Sequence, residues 1–217
     1  MKLKLAFFTV ISVMALCACS NVHGTSGTAA PESTEKTSPP RETSGGVIIE
    51  FNYVKQSGWA SNQFAVWVED ADGNLIKTLY ATRYTAKGGY ADRPDSIPDW
   101  VKKSGIDTMD APEVDAVSGA TPKTGGLSYT WDLTDDSGNA VGAGEYAFFV
   151  EGSLRWKNRV VYSGVIKTDG EEVTVEAKAE YFYEASEEYG GQEALNGNSD
   201  ENGMITAVKA SYVSNLF

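Results

Sequence analysis

Thr121 is the residue whose surroundings in the sequence most invite chemistry. It closes the run Asp115-Ala116-Val117-Ser118-Gly119-Ala120-Thr121, which places a carboxylate, Asp115, six positions before the hydroxyl. Ser118, Gly119 and Ala120 are small, and glycine at 119 lets another molecule approach the backbone closely. A packed core has no use for such a run, because it offers little apolar area. An exposed hydroxyl among small neighbours suits modification by a second molecule. The same residues also fit a tight turn before a strand, with Asp115 as its local cap.

Other chemistries lack their residues. His23 is the single histidine, so a histidine triad and a histidine-based zinc site are both excluded. No set of nucleophile, base and orienting group is visible. Asp70-Ala71-Asp72-Gly73-Asn74 and Asp135-Asp136-Ser137-Gly138-Asn139 look superficially like calcium loops. In the first, the glycine comes too early for an EF-hand and no bidentate Glu follows, so hairpin turns are expected. The acidic stretch 196–203 reads as a solvated loop. With 18 basic and 30 acidic residues, net charge -12, the chain lacks the basic surface that nucleic acid requires and is unsuited to adhering to anionic lipid.

The N-terminal segment reads as an address. Lys2 and Lys4 precede the apolar run Leu5 to Leu16, which is too short for a permanent membrane span. Leu16-Cys17-Ala18-Cys19 resembles a bacterial lipobox, which makes 1–18 a lipoprotein signal peptide and Cys19 the lipidated first mature residue. Neither cysteine then remains for a disulfide. Residues 19–44, rich in Ser, Thr, Gly, Pro and Glu, are expected to form a disordered tether. This places the protein outside the cytoplasm in the bacterial envelope, membrane-linked through lipid alone; Ser20 after Cys19 favours outer-membrane sorting.

Residues 45–217 have the grammar of one all-β domain, an antiparallel Ig-like β-sandwich. Strands are expected at 47–54, 63–69, 75–80, 128–133, 145–151, 159–167, 172–183 and 205–213. Asp-Gly and Ser-Gly turns pair the second strand with the third and the fourth with the fifth as hairpins. The rhythm breaks in a long insertion at about 81–127. There, Ser96 as N-cap, Pro98 in the first turn, Asp99 reaching back and Gly105 as terminator predict one short helix that packs Trp100 onto the sandwich.

The run from Asp115 to Thr121 resembles the flavinylation motif Asp-x-x-Ser/Thr-Gly-Ala-Thr/Ser of FMN-binding domains in bacterial respiratory proteins. In those domains a flavin transferase takes FMN from FAD and joins its phosphate to the last hydroxyl. The resemblance implies covalent FMN on Thr121, with Asp115, Ser118, Gly119 and Ala120 forming the recognition run. Trp100 and Tyr129 are the expected ring contacts, with Tyr90 and Trp131 also considered. More broadly, Val66-Trp67-Val68-Glu69-Asp70, Trp100, 115–122, Trp131-Asp132, Asp136-Ser137-Gly138 and Gly144-Glu145-Tyr146 resemble the DUF2271 family of predicted periplasmic proteins. That family's association with flavin transferases and PepSY-type membrane proteins implies a redox carrier that passes electrons between envelope partners. It also tends to show a histidine shortly after the strand ending at Val150-Glu151, where this chain has Leu154-Arg155-Trp156. The alternative is an Ig-like lipoprotein module that binds an envelope protein or a glycan without redox chemistry.

Overall fold

The computed structural model describes residues 45–57, 61–155, 158–183 and 203–216, all within one compact unit. Cys19, His23, the signal peptide, the tether, Trp156 and nearly all of the acidic stretch 196–203 lie outside the described residues.

Among the described residues, ten strands build two facing sheets. The first, ordered β5-β1-β10-β8, comprises β1 (Gly46–Tyr53), β5 (Gly125–Trp131), β8 (Val173–Glu176) and β10 (Ile205–Val213). The second, ordered β4-β3-β2-β6-β7-β9, comprises β2 (Gln63–Glu69), β3 (Leu75–Thr82), β4 (Ser118–Gly119), β6 (Glu145–Arg155), β7 (Asn158–Lys167) and β9 (Lys178–Tyr183). All pairings are antiparallel except β3 with β4. The all-β sandwich expected from the strand pattern is the fold observed. β1 is central to the first sheet: Gly46 faces Val213 at one end, and Tyr53 faces Gly125 at the other.

The core follows from alternation. Val47, Ile49, Phe51 and Tyr53 of β1 point between the sheets, as do Phe64, Val66 and Val68 of β2, together with Trp131, Phe148 and Val150. Each fully buried aliphatic or phenyl side chain of this layer stabilises by roughly 1.5–3 kcal/mol. Every residue of β2 is buried, because its outer face is covered as well. There, Ala65 and Trp67 meet Ala81, Ala86, Ile97, Trp100 and Ile106 in a second apolar layer beneath the chain between β3 and β4. The indole of Trp67 stacks on Phe149 with centroids 5.0 Å apart.

Two strand expectations are corrected. The strand at 128–133 does not form a hairpin with 145–151, because β5 and β6 lie in different sheets. The turn between them closes on itself through the isolated bridge Thr134–Ala140 and docks on β3, where the Asp136 N–H donates to the Ile76 carbonyl at 3.0 Å. The stretch 172–183 is likewise two strands that change sheets at Ala177, whose N–H bonds to the Val208 carbonyl. The hairpin β2–β3 is as expected, with Gly73 at φ +79° and the Asp70 carboxylate accepting from the N–H groups of Asp72 and Asn74. Asp135 accepts from Ser137 and Asn139 in the same way.

The insertion is shorter and more helical than expected. β3 extends through Thr82 and β5 begins at Gly125, so the excursion occupies 83–117 and a crossing segment follows at 120–124. It contains a π-helical turn (Thr85–Gly89), α1 (Tyr90–Asp92), α2 (Pro98–Ser104) and α3 (Ala111–Val117). Gly105 ends α2 at φ +63°, as its position suggests. Ser96 does not cap α2. Its hydroxyl is buried against that of Thr85 at 2.7 Å, and Ile97, at φ +45°, occupies the cap position. α3 was legible and missed. Asp110 and Glu113 form a reciprocal capping box, and Pro112 lies in the first turn.

Candidate functional site

Buried polar groups fasten the excursion to the outer face of β2 and β6. The Gln63 amide oxygen accepts from the hydroxyls of Thr82, at 2.6 Å, and Thr85, at 3.1 Å. The Ser153 hydroxyl accepts from the Ile97 N–H at 2.9 Å and donates to the Asp95 carbonyl at 3.0 Å. Beside it, the fully buried Glu151 carboxylate accepts from the N–H groups of Trp100 and Asp99 and from Arg159. Burial pushes the Glu151 carboxyl up to about 7, against the opposing pull of the Trp100 N–H and the Arg159 guanidinium. These bonds satisfy groups that would be costly to bury unpaired, and they fix the path of the chain into α3.

α3 delivers the run of interest to a sheet edge. Asp115 is exposed on this helix, and its carboxylate pairs with Lys87 of the π-helical turn at 2.5 Å. That partner holds the Asp115 carboxyl below the usual carboxylate range. Asp115 therefore ties α3 to the preceding turn instead of capping the run that follows. Ser118 and Gly119 form β4, with only two register pairs, Ala81–Ser118 and Thr82–Gly119. The Ser118 hydroxyl is enclosed and has no hydrogen-bond partner among the described residues.

Residues 120–124 then cross from the edge of one sheet, β4, to the edge of the other, β5. Ala120 is exposed and Thr121 half-buried, and among the described residues nothing hydrogen-bonds the Thr121 hydroxyl. Thr124 closes the crossing by accepting from the Lys55 N–H at 3.0 Å.

Beneath the crossing lies a cluster of rings. Tyr80, from β3, stacks on Phe64 at 4.9 Å and meets Tyr129, from β5, at 5.0 Å. Tyr129 also stacks on Phe51 at 5.9 Å. The Tyr80 hydroxyl donates to the Ala120 carbonyl at 2.8 Å. Burial pushes the phenols of Tyr53 and Tyr80 up to about 12 and raises that of Tyr129 as well, so all three are neutral at physiological pH. The Tyr53 hydroxyl is fully buried without a partner among the described residues.

Of the expected ring contacts, Tyr129 is the one that meets Tyr80, whose hydroxyl holds the neighbouring Ala120. Trp100 is completely enclosed in the second apolar layer, its indole N–H donating to the Thr78 hydroxyl at 3.1 Å, and no indole surface is left for a cofactor. Tyr90 packs against the same layer, and Trp131 is in the main core with its N–H on the Thr134 carbonyl. Tyr80 was missed because its alternating strand pattern marks it only as a strand residue. Among the described residues, no group of His, Cys, Asp and Glu gathers as a metal site, and no helix is long and apolar enough to cross a membrane.

Residues 46–185 match the family model DUF2271, described as a predicted periplasmic protein. No curated protein and no solved structure matches the chain.

Proposed function

The chain belongs to the DUF2271 family of predicted periplasmic proteins, and from that premise we propose that it is a lipid-anchored envelope redox carrier with FMN held covalently on Thr121. The attachment step balances simply. The Thr121 oxygen forms a phosphoester with the flavin-side phosphate of FAD, the pyrophosphate bond breaks, AMP leaves, and the hydroxyl proton passes to a base of the flavin transferase. Bound flavin supplies one- and two-electron chemistry that no side chain of the protein provides.

One observation carries the reading: a hydroxyl with no partner among the described residues, flanked by small residues, in a segment held to its sheet by two register pairs. A transferase can seize such a segment without opening the core. Two further features fit the cofactor. Arg83 lies within electrostatic reach of both Asp115 and Tyr80, so it is a positive charge on the side of this acidic protein that carries the run. Tyr129, half-buried beside Tyr80, is the ring through which an isoalloxazine would be contacted in this reading. The remaining partners in this reading are the flavin transferase and a PepSY-type membrane protein as electron partner, with Cys19 as the anchor, probed by acyl labelling.

The test is the intact mass of the domain co-expressed with a flavin transferase, beside Thr121→Ala. The parent alone should gain one FMN less one water, with flavin fluorescence that survives denaturation. An unmodified parent beside a transferase that labels a known substrate would leave the non-redox module, binding an envelope protein or glycan, as the function.

A further inference from the structure

Tyr80 and Gly119 interlock. A Cβ on residue 119 would lie 2.4 Å from Cε2 of Tyr80 and 3.3 Å from Cδ2 and Cζ, so the ring fills the space that glycine leaves. The Tyr80 hydroxyl reaches past Gly119 to the Ala120 carbonyl. Behind it, Phe64 and Tyr129 hold the ring against the core. Tyr80 thus combines a rigid base in the sandwich with a single hydrogen bond to the segment that carries Thr121. The remaining hold on that segment is slight. β4 is an edge strand of two residues, and Ser118, Gly119 and Ala120 bury little apolar area.

We propose that Tyr80 is a positioning residue for this segment: it latches residues 118–121 to the sheet edge, and its bond to Ala120 must open before another molecule can take hold of Thr121. The proposal rests on the reading of Thr121 as an acceptor. Opening breaks two register pairs and one hydrogen bond while the ring cluster behind Tyr80 stays packed. The segment can therefore lift locally, without global unfolding. When it closes again, Ala120 returns to the Tyr80 hydroxyl, and Thr121 next to it returns to a fixed place at the sheet edge.

The experiment is amide hydrogen exchange of the whole protein, read on a peptide covering 111–124 with a β6 peptide as control, in the parent, Tyr80→Phe and Gly119→Ala. Tyr80→Phe keeps the stacking and removes only the bond, so exchange at 118–121 should rise about threefold to tenfold while β6 is unchanged. Gly119→Ala, which forces the ring aside, should raise it further. Initial rates of flavin transfer should follow the same order. If the parent takes flavin but the variants match it in both exchange and transfer rate, the latch is overturned and the acceptor reading stands. If the parent takes no flavin from an active transferase, the acceptor reading fails, and this role for Tyr80 fails with it, whatever the exchange shows.

Discussion

The Glu151 carboxylate, on β6, receives the backbone N–H of Trp100 at 2.9 Å, so the first turn of α2 is capped by a strand 51 residues further along the chain. Helices of this kind normally begin with a local Ser, Thr or Asp. Here Ile97 takes a left-handed backbone that a β-branched side chain disfavours, and a buried acid from the sandwich completes the cap. Arg159 donates to the same carboxylate and to Asp99, and lies 3.9 Å over the ring of Phe182.

Stability should therefore depend on pH with a sign opposite to that of an ordinary carboxylate. The Glu151 pKa is raised in the fold to about 7, so between its unfolded value and 7 the folded state holds the extra proton. Stability from this group is present below the unfolded pKa and falls as pH rises toward 7, by an amount on the order of 3 kcal/mol. Asp136, also raised by burial, acts in the same direction. Asp70, Asp115, Asp132 and Asp135 are lowered, and their contribution is lost as pH falls below the usual carboxylate range. The melting temperature should climb from pH 8 to about pH 5 and then drop. Glu151→Gln should flatten most of the climb; a parental slope in that variant would assign the dependence elsewhere.

Glu151→Ala should be far worse than Glu151→Gln. It leaves the N–H groups of Trp100 and Asp99 without their acceptor and takes from Arg159 the buried one of its two carboxylate partners, a loss of about 3–5 kcal/mol in denaturant unfolding. An effect below about 1 kcal/mol would mean that the α2 region is not held in this way.

Ser153→Ala tests the neighbouring bolt. The variant leaves the Ile97 N–H and the Asp95 carbonyl without their buried partner, and should lose about 1–3 kcal/mol. Because Ile97 begins α2, proteolytic nicking near 93–97 should rise with it, and unchanged nicking would count against the bolt.

Asp115 separates recognition from stability. Its partner Lys87 is half-exposed, and an ion pair at the surface contributes little to folding. Asp115→Asn should leave the unfolding midpoint nearly unchanged and slow flavin attachment markedly. Equal attachment rates would reduce Asp115 to a strut between α3 and the π-helical turn.

Tyr129→Leu probes the ring contact. A phenol against an isoalloxazine quenches its fluorescence by electron transfer, so flavin attached to the variant should be brighter than in the parent, with the attachment yield unchanged. Equal brightness would place the ring elsewhere.

The sandwich was legible because period-two alternation reports burial directly: Phe64, Val66 and Val68 face one layer, and Trp67 faces the other. Alternation does not report which sheet a strand joins, and so the Asp135–Asn139 turn read as a hairpin although its strands part company. The excursion was harder to read for a related reason. Its anchors, Gln63, Ser153 and Glu151, are polar residues on a strand face that looks solvent-facing until another segment covers it. At the candidate site, residues 115–121 stood out by composition, whereas Tyr80 is recognisable only once the ring is seen across Gly119. Trp100 was rightly placed against the sandwich, and that same packing removes it from the cofactor's reach.

The register of β1 also sets how the molecule can be gripped. Gly46 and Val213 are paired at one end of this strand, while Gly125, where the crossing that carries Thr121 rejoins a sheet, is paired with Tyr53 at the other. Seven strand steps separate the two ends, about 23 Å. A pull applied through either flank of the sandwich therefore loads the β1–β10 pair and leaves the crossing slack. A bead, a chip surface or a fusion partner attached at those flanks would keep the Thr121 end turned toward open solvent.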